Sequence, residues 1–272
     1  MKYIVLIMLL CNIIQAKINI YTTIEPIKVM IEMITGNLAD VNTLVNGNSD
    51  PHTFTPKPRQ MFDISKSDVY FSTGFKEVED VWLSKIKKQN VNFNVIDITK
   101  NINYINSVCG HGHIHNKDPH IWTSLNESKT LLFNIYEELV KLDTPNRIIY
   151  KQNLTKALDY INTLDIQIKQ NLKNKRYMSY HPSFSYFNRD YNLSEIVIEK
   201  DAKEPKPKEI IELIKQAQKD TNNIQVIIVN KNYIPKSVKL ISNKLNAKVV
   251  NISSLINWPN NLLKLSLVVG EN

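Results

Sequence analysis

The residues most able to do chemistry in this chain are its histidines. Four of the six fall between Cys109 and Trp122, in the run Cys-Gly-His-Gly-His-Ile-His-Asn-Lys-Asp-Pro-His-Ile-Trp. Imidazole is the commonest nitrogen ligand of zinc and related ions, and Cys109 adds a soft thiolate, so this density points to a metal. The run has two halves. His111, His113 and His115 alternate with Gly112 and Ile114 beside Gly110, which predicts a mobile loop that, with Cys109, forms a secondary, metal-gathering site. His120 lies between Pro119 and the apolar pair Ile121 and Trp122, where a core resumes, and reads as a fixed ligand position. A polar surface loop that holds histidines by chance is the bland alternative.

The two remaining histidines share a context with His120. Each of His52, His120 and His181 follows a predicted strand or strand-end loop, and each is flanked by proline, as Pro51-His52, Pro119-His120 and His181-Pro182. One histidine at a strand end is more often a hydrogen-bonded structural residue than a ligand. Three in matching positions point to one shared metal site, with proline stiffening each ligand segment before an ion arrives. Asp50 and Asp118 stand two residues before their histidines, and the sequence leaves open whether they orient the imidazoles.

The elements that must hold these residues alternate in kind. Ile18 to Tyr21 reads as a strand, Thr22-Thr23 as the cap of a helix ending near Gly36, and Val41 to Val45 as a second strand feeding the His52 loop. A helix from Pro58 to about Ser65, a strand from Val69 to Ser72, a helix from Glu77 to Lys88 and a strand from Phe93 to Ile98 lead to the histidine run. Asn126 to Leu142 is helical through Leu131, Leu132, Ile135, Leu139 and Val140. After Thr144-Pro145 a second helix, with Ile148, Ala157, Ile161, Leu164, Ile168 and Leu172 on shared faces, continues to about Lys173. That helix, on the order of 45 Å long, reads as a rigid strut between lobes. A second series has strands near Tyr177 to Tyr180, Glu195 to Ile198, Ile224 to Val229 and Lys248 to Ile252, separated by helices, and ends in a helix from Asn257 to Leu267. The predicted fold is α/β, with two lobes, each a mostly parallel sheet flanked by helices, joined by one long rigid helix.

Composition fits a globular chain, with 43% hydrophobic and 22% charged residues. The net charge of +8 comes from dispersed lysines rather than a compact arginine block, so no nucleic-acid partner is expected. The start, a lysine and a short apolar run closing on Ile14-Gln15-Ala16, reads as a signal peptide over residues 1–16 that exports the protein to the periplasm. Lipid anchoring at Cys11 is disfavoured because Leu10 stands where a small residue is required. Cleavage after Ala16 leaves Cys109 as the only cysteine, so no internal disulfide forms.

Three segments, Asp50-Pro51-His52-Thr53-Phe54, Asp118-Pro119-His120-Ile121-Trp122 and Tyr180-His181-Pro182-Ser183-Phe184-Ser185-Tyr186-Phe187, with Glu204-Pro205 and Asn257-Trp258, occur in a characteristic order. In these the chain resembles the periplasmic metal-binding (solute-binding) subunits of zinc and manganese ABC transporters, and its histidine-rich loop resembles the zinc branch. The resemblance implies an N-terminal lobe at 17–143 carrying loop 109–115, a linking helix at 144–174 and a C-terminal lobe at 175–272. It implies a monomer that binds one ion between its lobes and passes it to a membrane permease for import. The transported ligand is then Zn2+, and the metal residues are His52, His120 and His181.

The family often has an aspartate after the last strand, where this chain reads Ser253-Ser254. The fourth position would then fall to water, to a carboxylate such as Asp50, or to the loop. Three neutral nitrogens favour zinc over manganese, and a manganese- or iron-type importer subunit is the alternative. Three histidines with an open position also describe a catalytic zinc. A zinc-dependent hydrolase needs a placed general base, and the sequence has no His-Glu-x-x-His pair and no Gly-x-Ser-x-Gly elbow, so the chain reads as a binding protein and not an enzyme.

Overall fold

The computed structural model of the chain describes residues 17–47, 49, 51–108, 114–173, 176–199, 203–219, 224–230 and 233–271. The expected signal peptide, Asp50, and Cys109 to His113 lie outside them. The N-terminal sheet contains β1 (Ile18–Thr22), β2 (Ala39–Thr43), β3 (Val69–Ser72) and β4 (Val95–Asp97) in the order β2-β1-β3-β4, all parallel. The C-terminal sheet contains β7 (Arg176–Ser179), β8 (Ser194–Val197), β9 (Val226–Val229) and β10 (Lys248–Asn251) in the order β10-β9-β7-β8, again parallel. Helices α1 (Glu25–Thr35), α2 (Pro58–Ser65), α3 (Lys76–Gln89) and α4 (Leu125–Leu142) belong to the first lobe; α6 (Ser185–Tyr191), α7 (Pro207–Gln218), α8 (Lys236–Leu245) and α9 (Asn260–Gly270) to the second.

Both sheets are buried on both faces, and the strand period of two shows it. In β3, Val69 and Phe71 enter the main core while Tyr70 packs with Trp82, Ile86 and Phe93 on the other side. In β9, Val226 and Ile228 face the main core while Ile227 and Val229 pack with Val238 and Ile241. Uninterrupted apolar strands of this kind are what a parallel sheet covered by helices requires. The main core does not stop at the lobe boundary, since it unites Ile20, Trp122 and Leu131 with Tyr177, Phe187 and Trp258.

The helix between the lobes, α5 (Arg147–Asn171), follows a 3-10 turn at Thr144–Asn146 and is about 37 Å long. Its buried stripe is Tyr150, Leu154, Ala157, Ile161, Leu164 and Ile168, a spacing of three and four that keeps one face inward. Ile148, expected on that face, is 61% exposed. The helix is also more than a strut, because it packs on α1, α4 and α9. Gly270 lets the end of α9 sit against Asn171, where a Cβ would lie 1.9 Å from its carbonyl oxygen.

Three local expectations are corrected. Thr22 and Thr23 do not cap α1, whose first turn starts at Glu25 after Ile24, with Pro26 as its second residue. Their hydroxyls turn inward instead, Thr22 to the Phe71 carbonyl at 2.9 Å and Thr23 to Tyr70 at 2.7 Å and to Glu79. Strand β2 begins two residues earlier than its apolar run, since backbone pairing with β1 decides its register. The histidine run is not wholly loop: β5 (Asn106–Val108) and β6 (Ile114–Lys117) form an antiparallel pair around it, which places His115 on a strand.

Buried hydrogen bonds tie the lobes together. The Trp122 indole donates to the Ser254 carbonyl at 2.8 Å, and the Trp258 indole donates to the Trp122 carbonyl at 2.8 Å. Helix α6 docks on the other lobe as well: the Tyr186 hydroxyl donates to the Asp118 carbonyl at 2.7 Å, and Arg189 reaches the Asn103 carbonyl and Glu127. Under α6, the partly buried Glu195 accepts from the Asn188 amide at 2.8 Å; desolvation lifts its carboxyl to about 7, against partial offsets from neighbouring hydroxyls, that amide and the His181 charge.

Trp122→Phe leaves the Ser254 carbonyl unpaired in the core and is expected to cost at least about 1 kcal/mol, read as a lower urea midpoint. Glu195 keeps its proton in the folded state between pH ~4.5 and ~7 while the unfolded chain has released it, so stability falls as pH rises through that window. Glu195→Gln is therefore expected to stabilise the protein by up to about 3 kcal/mol at pH ~8, with the gain fading below pH ~4.5, in paired unfolding curves.

Candidate metal centre

Each of the three proline-flanked histidines leaves the C-terminal side of the structure that precedes it. His52 sits in a 3-10 turn, Pro51–Thr53, beyond β2; His120 follows β6 and precedes the 3-10 turn Ile121–Thr123; His181 lies two residues beyond β7. The side chains meet in the cleft between the lobes, with one ring nitrogen from each lying within 4.8 Å of the other two. Ring centroids are 5.7 Å apart for His52 and His120, and 5.6 Å for each pair with His181. Nitrogens bound to one tetrahedral zinc at ~2.0–2.1 Å stand roughly 3.3 Å apart, so a small inward shift suffices to close on an ion.

Two imidazoles are oriented by carboxylates. His120 Nδ1 lies 2.8 Å from Asp118 Oδ1, which also accepts the His120 backbone N–H at 2.9 Å. His181 Nδ1 is bonded to Glu199. With Nδ1 donating to a carboxylate, the lone pair of the neutral ring is left on Nε2, the nitrogen away from the acid. Burial pushes the Asp118 carboxyl up, but the His120 hydrogen bond and charge, with the backbone N–H and Ser185, outweigh it and leave it below the usual range. His120 is buried and packs 5.4 Å from the Trp122 ring, whereas His52 is exposed at the mouth, with Phe75 edge-on at 5.0 Å.

Phe75 is itself held from behind. Buried Glu79 accepts from the Thr73 backbone N–H at 3.0 Å and the Thr73 hydroxyl at 2.9 Å, and is bonded to Ser72 and Thr23, so one carboxyl ties together the ends of β1 and β3. Burial raises its pKa against those hydrogen bonds.

The cleft has a volume of about 790 Å³, and its far wall is C-terminal, with Asn230, Tyr233, Ser253, Asn257 and Lys264. At its rim Gly47 touches Ile256, where a Cβ would lie 1.8 Å from the Ile256 side chain. Ser253 Oγ accepts the Leu255 N–H at 3.1 Å, so this serine shapes its turn. Among the described residues no carboxylate or thiol joins the three histidines. Of the expected secondary site, Cys109, His111 and His113 lie outside the described residues, and His115 is described only as part of β6.

Glu199 escaped the sequence reading. Parallel pairing aligns Ser179 with Val197, so His181 and Glu199 stand equally far beyond adjacent strands. The acid after a strand was visible, but the neighbourhood of β7 and β8 needed the sheet order.

The model of the family described as zinc-uptake complex component A, periplasmic (ZnuA), matches residues 20–261. The zinc-binding protein AdcA of Streptococcus pyogenes serotype M3 is 27% identical over 268 residues, covering 89% of this chain and 51% of AdcA, so the chain spans about half the length of that relative. The metal ABC transporter substrate-binding lipoprotein SsaB of Streptococcus sanguinis is 22% identical, covering 86% of this chain and 79% of SsaB. A crystal structure of ZnuA superposes with a TM-score of 0.86 at 32% identity, covering 94% of this chain and 99% of that one. A ZnuA deletion mutant with zinc bound gives a TM-score of 0.84 at 33% identity, covering 94% and 97%. With two parallel-sheet lobes about a long helix and a match that runs nearly end to end, this chain belongs to the ZnuA family of periplasmic zinc-uptake components.

Proposed function

We propose that this protein captures Zn2+ outside the cytoplasm between its two lobes and delivers it to the membrane permease of an ABC importer. The observation that carries this reading is the convergence of His52, His120 and His181 from three separate segments, two of them with Nδ1 held by a carboxylate. In this reading the three Nε2 atoms or their equivalents are the ligands, and Asp118 and Glu199 stand behind them as neutralising, orienting groups. A neutral nitrogen set suits zinc better than manganese, which prefers more carboxylate oxygen.

Binding is favoured over catalysis. A hydrolytic zinc needs a free base beside its water, and here Asp118 and Glu199 are both engaged by imidazole N–H groups. The family name, the zinc-bound ZnuA deletion mutant and the transporter name of SsaB support capture and delivery. Residues 1–16 serve export, the mature chain works as a monomer, and its lobes run from 17 to 143 and from 175 to 272 about the helix at 144–174. Cys109, His111, His113 and His115 hold weaker zinc and raise its local supply.

Competition titration tests the site. His181→Ala is expected to abolish tight zinc binding, while joint replacement of His111, His113 and His115 removes weaker zinc only; the reverse pattern would make the loop the receptor. Asp118→Asn is expected to weaken zinc by about 10- to 100-fold without loss of stoichiometry. Protons compete for the ligand nitrogens, so zinc affinity is expected to fall by at least about tenfold from pH ~7.5 to ~5.5, and a constant affinity would contradict ligation by histidine.

A further inference from the structure

We propose that the protein takes its zinc together with a small hydroxycarboxylate, which fills the fourth coordination position and is held by the C-terminal wall of the cleft. This inference rests on zinc binding by the three histidines. The first observation is that, among the described residues, the acids beside the three histidines are already committed. Asp118 and Glu199 each bond to an imidazole Nδ1, and among the described residues no other carboxylate or thiol joins the histidines.

The second observation is the character of the opposite wall. Asn230, Tyr233, Ser253 and Asn257 offer neutral hydrogen-bonding groups, and Lys264 adds an ammonium. Lys264 Nζ donates to the Asn251 carbonyl at 3.2 Å, and among the described residues it meets no carboxylate. A wall built to bind a bare dication would carry acids; this one suits an anion. The Asn230 Oδ1 atom is buried without a hydrogen-bond partner, an acceptor that a ligand hydroxyl can satisfy. The third observation is size: about 790 Å³ is far more than one ion and its water need, and falls within the ~300–1,000 Å³ of small-molecule sites.

The step is a ligand exchange. One carboxylate oxygen donates its lone pair to zinc and displaces the bound water; nothing is oxidised, and the remaining negative charge faces Lys264. The three neutral imidazoles and the anion then complete a four-coordinate zinc.

Citrate and acetate serve as probes, with zinc affinity measured at buffered free zinc so that chelation in solution does not enter. Citrate is expected to tighten zinc binding by about tenfold or more, acetate by less, with one labelled citrate retained per zinc. The ratio of zinc Kd without citrate to that with citrate is expected to drop to near one in Lys264→Ala and to return in Lys264→Arg, while Asn230→Ala narrows the gap between citrate and acetate. Zinc affinity that is tight, dependent on His181 and indifferent to citrate would overturn the inference and leave zinc capture standing, with the fourth position filled by water or by the chain itself. A wild-type chain that binds no zinc with or without citrate would remove both.

Discussion

The arrangement depends on a pair of buried hydrogen bonds that cross from one lobe to the other. The Trp122 indole reaches the Ser254 carbonyl, and the Trp258 indole returns to the Trp122 carbonyl. Both rings are almost fully buried in one core shared by the lobes. Burying an indole N–H or a carbonyl without a partner costs on the order of 1–3 kcal/mol, so each lobe supplies what the other needs. Trp122 stands two residues after His120, and Ser254 next to Ser253 in the cleft wall, so the bond that joins the lobes also sets the distance across the site.

Around that floor the structure places soft positions on hard supports. His120 is buried and anchored by Asp118, whose carbonyl is held by Tyr186 of the other lobe. His181 leads into α6, whose Arg189 and Asp190 bond to Glu127 and Ser124. His52 alone stands exposed, on a short turn at the mouth, with Phe75 at its edge and Glu79 behind the Phe75 segment. Two ligand candidates are thus preorganised, and the third sits where an ion enters, which reduces the ordering cost of capture.

Electrostatics follows the same division. The carboxylates beside the histidines sit behind the rings rather than in front of them, so they strengthen imidazole as a donor without occupying the metal position. The opposite wall is neutral and cationic, a polarity that sets this cleft apart from one completed by an acid of its own.

The sequence by itself determined a good deal. The alternation of apolar runs gave two parallel α/β lobes and the long helix, because strand and helix periods are local properties of side-chain order. Proline beside each of His52, His120 and His181 marked the three residues that meet, and the histidine-rich resemblance pointed to zinc. Boundaries moved where pairing or burial overrode pattern, as at β2, at Ile148 and at the strand carrying His115. Tertiary structure alone decided that Glu199 stands beside His181, that Asp118 orients His120, that Glu79 gathers the ends of β1 and β3, and that the two tryptophans lock the lobes. Each of these joins residues brought together by strand order or lobe docking, and a polar partner distant in the chain leaves no periodic trace in the sequence, only an acid or an indole whose use depends on what folds against it.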